Sequence, residues 1–235
     1  MKSARALSAR MKKLGSARQA TELQRFFKTG PGDYGEGDVF LGLKVPQVRA
    51  LVKEFHDLPL AETKKLLKSG IHEERLFALL VMVRRAEKGD PAEKKRMYDL
   101  YLKNTRYVNN WDLVDLSSHH IVGGYLMERS RRPLHRLAKS KDLWERRIAI
   151  VTTAHFIQHN DFADTLKIAE ILLHDEHDLI HKAVGWMLRE VGKRDRAVEE
   201  KFLKKHYRDM PRTMLRYAIE RFPEPLRQRY LKGTV

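Results

Sequence analysis

The chain has 235 residues, enough to bury a sizeable core in one large domain or two small ones. It contains no cysteine, which excludes disulfides, thiolate chemistry and cysteine-based zinc sites and suits a reducing compartment. Its 47 lysine and arginine residues outnumber 31 aspartate and glutamate residues, and the net charge of +16 favours polyanionic partners, nucleic acid before anionic membranes.

Helical periodicity runs through nearly the whole chain and strand signals are scarce, so we predict an all-α protein. The predicted helices cover residues 2–13, 16–28, 45–56, 60–69, 72–88, 92–107, 110–129, 133–140, 142–159, 163–174, 177–193, 196–209, 211–222 and 224–232. Their connections are short and marked by Gly, Pro, Asp or Asn, and no low-complexity linker divides them. We therefore expect a single domain over residues 1–235.

The first predicted helix has a basic face, because no acidic residue precedes Glu22. A transit peptide, which is also amphipathic and contains Arg and Ser, is the alternative interpretation. The longest apolar run, LFALLVMV at 76–83, is much shorter than the ~20 residues of a spanning helix. We therefore expect no membrane contact and a cytoplasmic protein.

Residues 29–42, TGPGDYGEGDVFLG, form a Gly-rich segment that holds five of the 13 glycines. No helix survives that density of glycine. We favour a short β-hairpin around 30–41, in which the flanks of the segment pair around a Gly-rich turn. The alternative is a long loop between helices. Its acidic residues do not have EF-hand spacing, so no metal is predicted there.

An internal repeat organises the rest of the chain. The segments RLFALLVM (75–82), WDLVDLSS (111–118), RRIAIVTT (146–153), HKAVGWML (181–188) and LRYAIERF (215–222) align on a small central residue at intervals of 36, 35, 34 and 35. Another predicted helix precedes each segment. A single helix pair cannot bury its apolar face alone, so we expect a curved solenoid of about six HEAT-like two-helix repeats.

One position breaks this repeat. The residue after the small one is aliphatic in four repeats, but in the second repeat it is Asp115. The register therefore predicts that Asp115 lies at least partly out of water, where an unpaired carboxylate costs several kcal/mol. Either Asp115 is satisfied structurally or it is held for chemistry.

Asp115 follows Trp111 by one helical turn, so the two share a helix face. Equivalent faces of successive second helices line one groove in a solenoid, which would add Arg147 and Trp186 from later repeats. An indole packs on sugars or bases and an Arg grips a phosphate. Core packing for the Trp residues and ion pairing for Arg147 are the structural alternatives. Further basic residues predicted to contact phosphates are Arg146 and Lys182.

The segments NWDLVD (110–115), WERRIAI (144–150) and KAVGWMLRE (182–190), in that order, resemble the AlkD family of HEAT-like repeat DNA alkylation repair proteins. The segment FLGLKVPQVR (40–49) belongs to the same resemblance. The resemblance extends over about residues 20–220. It implies a bacterial, monofunctional DNA glycosylase that removes cationic alkylpurines such as 3-alkyladenine and 7-alkylguanine. It also implies that no metal or organic cofactor takes part, and we expect a monomer associated with the nucleoid when on DNA.

The resemblance also implies roles for individual residues. Asp115 is similar to the catalytic aspartate of the family, and Trp111 and Trp186 resemble the indoles that flank the deoxyribose of the lesion. Arg147 resembles the arginine beside the phosphate. A carboxylate at this place would stabilise the oxocarbenium-like sugar left by the departing base.

Two departures from the glycosylase pattern leave alternatives open. Phe26 stands where that branch has a Tyr, and residues 29–39 look like an insertion similar to the hairpin of the AlkF and AlkG relatives, which favour branched DNA. Excision of alkylpurines is the leading prediction. The alternatives are a non-catalytic binder of branched or distorted DNA and a protein-binding HEAT scaffold.

Overall fold

The structure, a computed structural model, describes residues 2–235. Its α-helices are α1 Ala4–Leu14, α2 Ala17–Phe26, α3 Val45–Glu54, α4 Leu60–Leu67, α5 His72–Lys88, α6 Pro91–Leu102, α7 Trp111–Asp115, α8 Gly124–Leu126, α9 Arg132–Leu137, α10 Leu143–Thr152, α11 Ala154–Gln158, α12 Ala163–Ile171, α13 Asp178–Arg194, α14 Arg196–His206, α15 Arg212–Ala218 and α16 Glu224–Lys232. Residues 2–235 include no β-strand, so the predicted all-α class is confirmed. Within the same residues, no helix is both long enough and apolar enough to cross a membrane.

The chain folds into two compact units, Met1–Ser117 and Ser118–Val235. In the first unit, α5 is buried along most of its length and packs against α3, α4 and α6. In the second unit, α13 is central and packs against α10, α14 and α15. Each unit therefore has its own core, and the single domain predicted over residues 1–235 stays a prediction.

The small residues at the centres of the five repeats mark tight helix packing. All five are buried: Ala78, Val114, Ala149, Ala183 and Ala218. Beside Ala183, a Cβ added to Gly185 would lie 2.4 Å from the carbonyl oxygen of Met214. Helices α13 and α15 thus approach closely where the repeat places its small residue.

Two long predicted helices are interrupted by hydroxyl side chains. The helix predicted over 110–129 is broken after Asp115, where the hydroxyl of Ser117 donates to the carbonyl of Leu113. Helical structure resumes as a π-helix over His119–Gly123, followed by α8. The helix predicted over 142–159 divides after Thr152, and the Thr153 hydroxyl donates to the carbonyl of Ile150. Such local hydrogen bonds compete with the helical ladder. As a result α7 has only five residues.

The β-hairpin predicted around 30–41 is wrong. The Gly-rich segment runs through consecutive turns instead, and the N–H groups of Asp33 and Asp38 each donate to the carbonyl three residues earlier. These donors are not available for cross-strand pairing. Throughout residues 2–235, the isolated bridges are limited to one parallel contact between Val39 and Ile71.

The end of the Gly-rich segment is held to α5 by one buried carboxylate. Glu73, 1% exposed, accepts hydrogen bonds from the N–H groups of Leu41 (3.0 Å), Gly42 (2.8 Å) and Leu43 (3.1 Å). Gly42 has φ of 86°, and a Cβ there would lie 2.2 Å from the carbonyl oxygen of Ser16. Only glycine fits this close approach, so the segment is ordered by backbone contacts on both sides.

A second buried carboxylate, Glu199 of α14, lies in the core of the second unit. Its side chain occupies the space beside Gly192, and its Oε1 has no hydrogen-bond partner within residues 2–235. Burial raises the pKa of Glu199 to about 8, against the opposing charge of Arg196. The folded state therefore keeps a proton that the unfolded chain releases above its ordinary pKa of 4.5.

Because the folded-state pKa of Glu199 is raised, stability should fall as pH rises from about 4.5 to about 8. We predict that Glu199→Gln removes this fall and stabilises the protein by roughly 2–4 kcal/mol at pH 9, with little effect at pH 4.5. Urea unfolding at both pH values measures the difference. Glu176→Gln, at an exposed position of the same unit, is the control. Equal pH dependence in wild type and Glu199→Gln would show that Glu199 ionises normally.

Candidate functional site

A cleft of about 510 Å³ opens in the first unit beside α2 and α7. We call it the aromatic cleft, because four aromatic rings contribute to its walls and its exposed lining is almost entirely apolar. The residues that define it are Leu23, Phe26, Phe27, Phe40, Leu43, Leu76, Trp111, Asp115 and Leu116. Two of the sequence-predicted site residues, Trp111 and Asp115, therefore share one cavity.

The rings of the aromatic cleft hold the indole of Trp111 in place. Phe27 stacks on Trp111, with ring centroids 4.9 Å apart and ring planes at 16°. Phe40 in turn stacks on Phe27, with centroids 5.1 Å apart. Phe26 meets Trp111 edge-on at 5.7 Å and is 63% exposed. Aromatic pairs in these geometries are worth ~0.5–1.5 kcal/mol each beyond their burial. The half-buried indole is thus fixed at the mouth of the cleft.

Asp115 is the last residue of α7 and is half-buried at the edge of the aromatic cleft. This agrees with the repeat, which predicts a carboxylate partly out of water. The other carboxylate of α7, Asp112, is buried and accepts a hydrogen bond from the Leu113 N–H at 2.9 Å. The two carboxylates of this short helix therefore have different surroundings, and Asp115 is the more exposed one.

A buried polar network borders the cleft, which His72 and Asp112 help to line, and sequence reasoning missed it. His72 of α5 contacts Asp38 through Nδ1 at 3.0 Å and Asp112 through Nε2 at 2.8 Å. Arg75 also donates to Asp38, and the side chain of Asn110 donates to Asp38 at 3.2 Å. Positions 38, 72 and 112 are separated by more than 30 residues in sequence, so no local spacing could have revealed their contact.

Two members of the network, His72 and Asp38, have shifted pKa values. Burial lowers the pKa of His72, but the carboxylates of Asp112 and then Asp38 outweigh this effect and raise it to about 9. Burial raises the pKa of Asp38, but hydrogen bonding and charge from His72 and Arg75 hold it below its ordinary value. At neutral pH, His72 is therefore protonated where it lies between Asp38 and Asp112.

The second unit contains the other predicted indole. Trp186 of α13 is half-buried, and its Nε1–H donates to Glu190 at 3.1 Å. It lines a cavity of about 470 Å³ together with Gln158, Lys193 and Arg194. This cavity is more polar than the aromatic cleft, and two exposed cations border it.

The three predicted basic contacts also lie in the second unit, and each has an intramolecular partner. Arg147 is 5% exposed and donates to the Leu179 carbonyl at 2.6 Å. Arg146 pairs with Asp175 at 2.6 Å, and Lys182 pairs with Asp178 at 2.6 Å. The burial of Arg147 favours a role in packing α10 against α13, and its predicted contact with phosphate stays a prediction.

Side chains that could bind a metal ion are not clustered in the described part of the chain. No group of three or more His, Cys, Asp or Glu residues among residues 2–235 has a suitable arrangement. The network around His72 is built from hydrogen bonds between histidine, carboxylates and Arg75.

Comparison with known proteins identifies relatives of the chain. The family model for the DNA alkylation repair enzyme matches residues 7–222. A solved structure, "Predicted DNA alkylation repair enzyme from Enterococcus faecalis", is similar with a TM-score of 0.69 and 18% identity, over 89% of this chain and 97% of that chain. The curated proteins give no significant match. The structural likeness shows the fold, a helical repeat as the sequence predicts.

Proposed function

Because the chain belongs to the DNA alkylation repair enzyme family, we propose that it is a monofunctional glycosylase that excises N3- and N7-alkylated purines from DNA. One observation carries this proposal: the half-buried carboxylate of Asp115 lies beside Trp111 at the edge of the aromatic cleft. The net charge of +16 favours binding of DNA. Within that positive chain, the carboxylate of Asp115 would favour a positively charged group at the cleft.

The chemistry suits such a site. An N3- or N7-alkylated purine already carries a positive charge, so it is a good leaving group. When the C1′–N bond breaks, its electron pair stays on the base, which departs neutral, and the sugar becomes oxocarbenium-like. Water then adds to C1′ and loses a proton to a carboxylate or to solvent. Asp115 would stabilise the developing positive charge on the sugar and orient the attacking water.

The aromatic cleft supports the same assignment. A cation over an indole or phenyl face gains ~0.5–2 kcal/mol, more when water is excluded. Trp111 is already ordered by its stacking on Phe27, so it loses little freedom when a substrate arrives. The apolar lining also lowers the local dielectric, which strengthens the attraction between Asp115 and a cationic sugar.

Contacts to the DNA backbone are proposed for the second unit. Lys193 and Arg194 are exposed beside Trp186, whose ring can pack on a sugar or base. Arg146, Arg147 and Lys182 complete the proposed set. These three side chains already bind Asp175, the Leu179 carbonyl and Asp178, respectively. On DNA they would have to contact phosphates in addition to these partners or in place of them.

The test measures base release from methylated duplex DNA. We expect wild type to release 3-methyladenine and 7-methylguanine. We expect Asp115→Asn to release these bases at least about 100-fold more slowly. DNA affinity should change little, because the substitution removes no positive charge. Released bases are identified by chromatography with mass spectrometry, under single-turnover conditions.

The matched control is Asp33→Asn, which removes an exposed carboxylate in the Gly-rich segment. It should release bases at the wild-type rate. Base release that is unchanged in Asp115→Asn would refute the role of Asp115. Wild type that binds a four-way junction but frees no base would contradict excision and favour the non-catalytic binder of branched DNA.

A further inference from the structure

The five-residue helix α7 carries both Trp111 and Asp115, yet it is too short to be stable by itself. Helices of this length depend on tertiary contacts for their orientation. Its N-terminal turn is held by Asn110, whose Oδ1 accepts from the Trp111 N–H at 2.8 Å, and by Asp112. The partners of these two residues therefore decide where the cleft residues point.

Both partners lead to Asp38 of the Gly-rich segment. Asn110 donates directly to Asp38, and Asp112 is joined to it through His72. All four side chains are buried. The phenyl rings of Phe40 and Phe27 pack against the imidazole, with ring centroids 4.4 and 5.0 Å from its own, where His72 and Asp112 border the cleft. The Gly-rich segment and α7 are thus joined by one buried connection.

The hydrogen-bond geometry of the bridge suits a protonated His72. Ionised carboxylates only accept, so an imidazole between two of them must donate from both nitrogens. Such a His72 is positively charged. The charged groups facing it are Asp112 within α7, Asp38 in the Gly-rich segment and, one turn along α5, Arg75. Two cations then face two anions at a buried site, where charge-assisted hydrogen bonds are strong and directional.

We propose that His72 is a positioning residue, which locks α7 to the Gly-rich segment and so sets the place of Asp115 and Trp111 at the aromatic cleft. The Asp38–His72–Asp112 bridge acts on Asp112, three residues before Asp115 on the same short helix. Without the bridge, α7 keeps its packing but loses its defined rotation. The consequence for base excision rests on the proposed function, whereas the positioning of α7 does not.

Two variants and one control test this proposal. His72→Gln removes the charge and one of the two hydrogen bonds. Asn110→Ala leaves the His72 bridge in place but removes both the direct link to Asp38 and the cap on the Trp111 N–H. His56→Gln replaces an exposed histidine of the same unit. Amide hydrogen exchange at residues 110–115 is compared with exchange in α3, and single-turnover base release is compared with DNA affinity.

In His72→Gln we expect exchange at residues 110–115 to accelerate about tenfold while α3 is unaffected. Base release should slow about 10- to 100-fold, because a small displacement of a reacting group is costly, and DNA affinity should stay within about twofold. Asn110→Ala should give the same pattern with a smaller amplitude, and His56→Gln should match wild type. If His72→Gln does not fold, Asp38→Asn serves as the test by the same measurements, because it removes the negative charge that faces His72 Nδ1 and nearly keeps the shape of the side chain.

Exchange at residues 110–115 that is unchanged in both variants would overturn the proposal. So would uniform acceleration across the first unit, because this would indicate a role in overall stability alone. Accelerated exchange at α7 with an unchanged rate of base release would also refute it. If wild type releases no base, the proposed function fails, and the exchange pattern alone then decides whether His72 positions α7.

Discussion

A Glu73→Ala variant is expected to lose about 3–5 kcal/mol of folding free energy, a large part of the ~5–15 kcal/mol of a typical domain. The carboxylate of Glu73 is buried and accepts from three consecutive backbone N–H groups at the end of the Gly-rich segment. Hydrogen bonds to charged groups contribute ~1.5–3 kcal/mol, and their loss leaves buried donors without partners. The end of the Gly-rich segment should therefore detach from α5, while Asp38 keeps its contacts with His72 and Arg75.

Urea unfolding followed by far-UV circular dichroism measures this loss, and two variants bracket it. Glu73→Gln keeps one acceptor oxygen, so its loss should be less than half that of Glu73→Ala. Glu74→Ala removes a neighbouring buried carboxylate whose Oε1 has no hydrogen-bond partner within residues 2–235, and it should cost the least. A Glu74→Ala variant as unstable as Glu73→Ala would mean that the backbone N–H contacts contribute little.

His72 and Glu73 are adjacent at the start of α5, and each holds a different part of the Gly-rich segment. His72 binds Asp38, and Glu73 binds the backbone from Leu41 to Leu43. Consecutive helical residues point about 100° apart, which suits two separate attachments to one chain segment. The first turn of α5 thus fixes the segment whose Phe40 ring lines the aromatic cleft.

The sequence predicted those features that recur with a period. The repeat placed five small residues in the core, and all five are buried. It also singled out Asp115, because one carboxylate interrupted a column of aliphatic residues. Its pairing with Trp111 followed from helical geometry. These inferences needed only the spacing of residues along the chain. That spacing determines which residues share a helix face, independently of long-range contacts.

The Gly-rich segment and the His72 network depend on long-range contacts and could not be predicted in this way. Glycine density correctly indicated turns, but it did not tell whether the N–H groups would pair across strands or bind Glu73, about 30 residues away. Asp38 looked like one of several acidic loop residues. Its partner His72 carries no motif, and burial alone makes their interaction strong. The contacts of Arg147 were likewise undetermined by its position in the repeat.

The stabilisation that His72 provides should disappear at alkaline pH. Its folded-state pKa is raised from 6.5 to about 9, so the contribution is fully present below about 6.5 and is lost as pH rises through about 9. A pKa shift of this size corresponds to ~3 kcal/mol of folding free energy. At the acidic end, the lowered pKa of Asp38 keeps the bridge intact until pH falls below its ordinary value of 3.8.

We therefore predict that His72→Gln destabilises the protein most between about pH 5 and 6.5, by ~3 kcal/mol, and that its deficit shrinks towards zero near pH 10. The measurement is the difference in unfolding free energy between variant and wild type across this range. Glu199 titrates in both proteins, so its contribution cancels in the difference. His56→Gln should show a difference near zero at every pH, since that side chain is exposed. A deficit for His72→Gln that stays constant from pH 6 to 10 would mean that lost packing, and not the lost positive charge between Asp38 and Asp112, accounts for its effect.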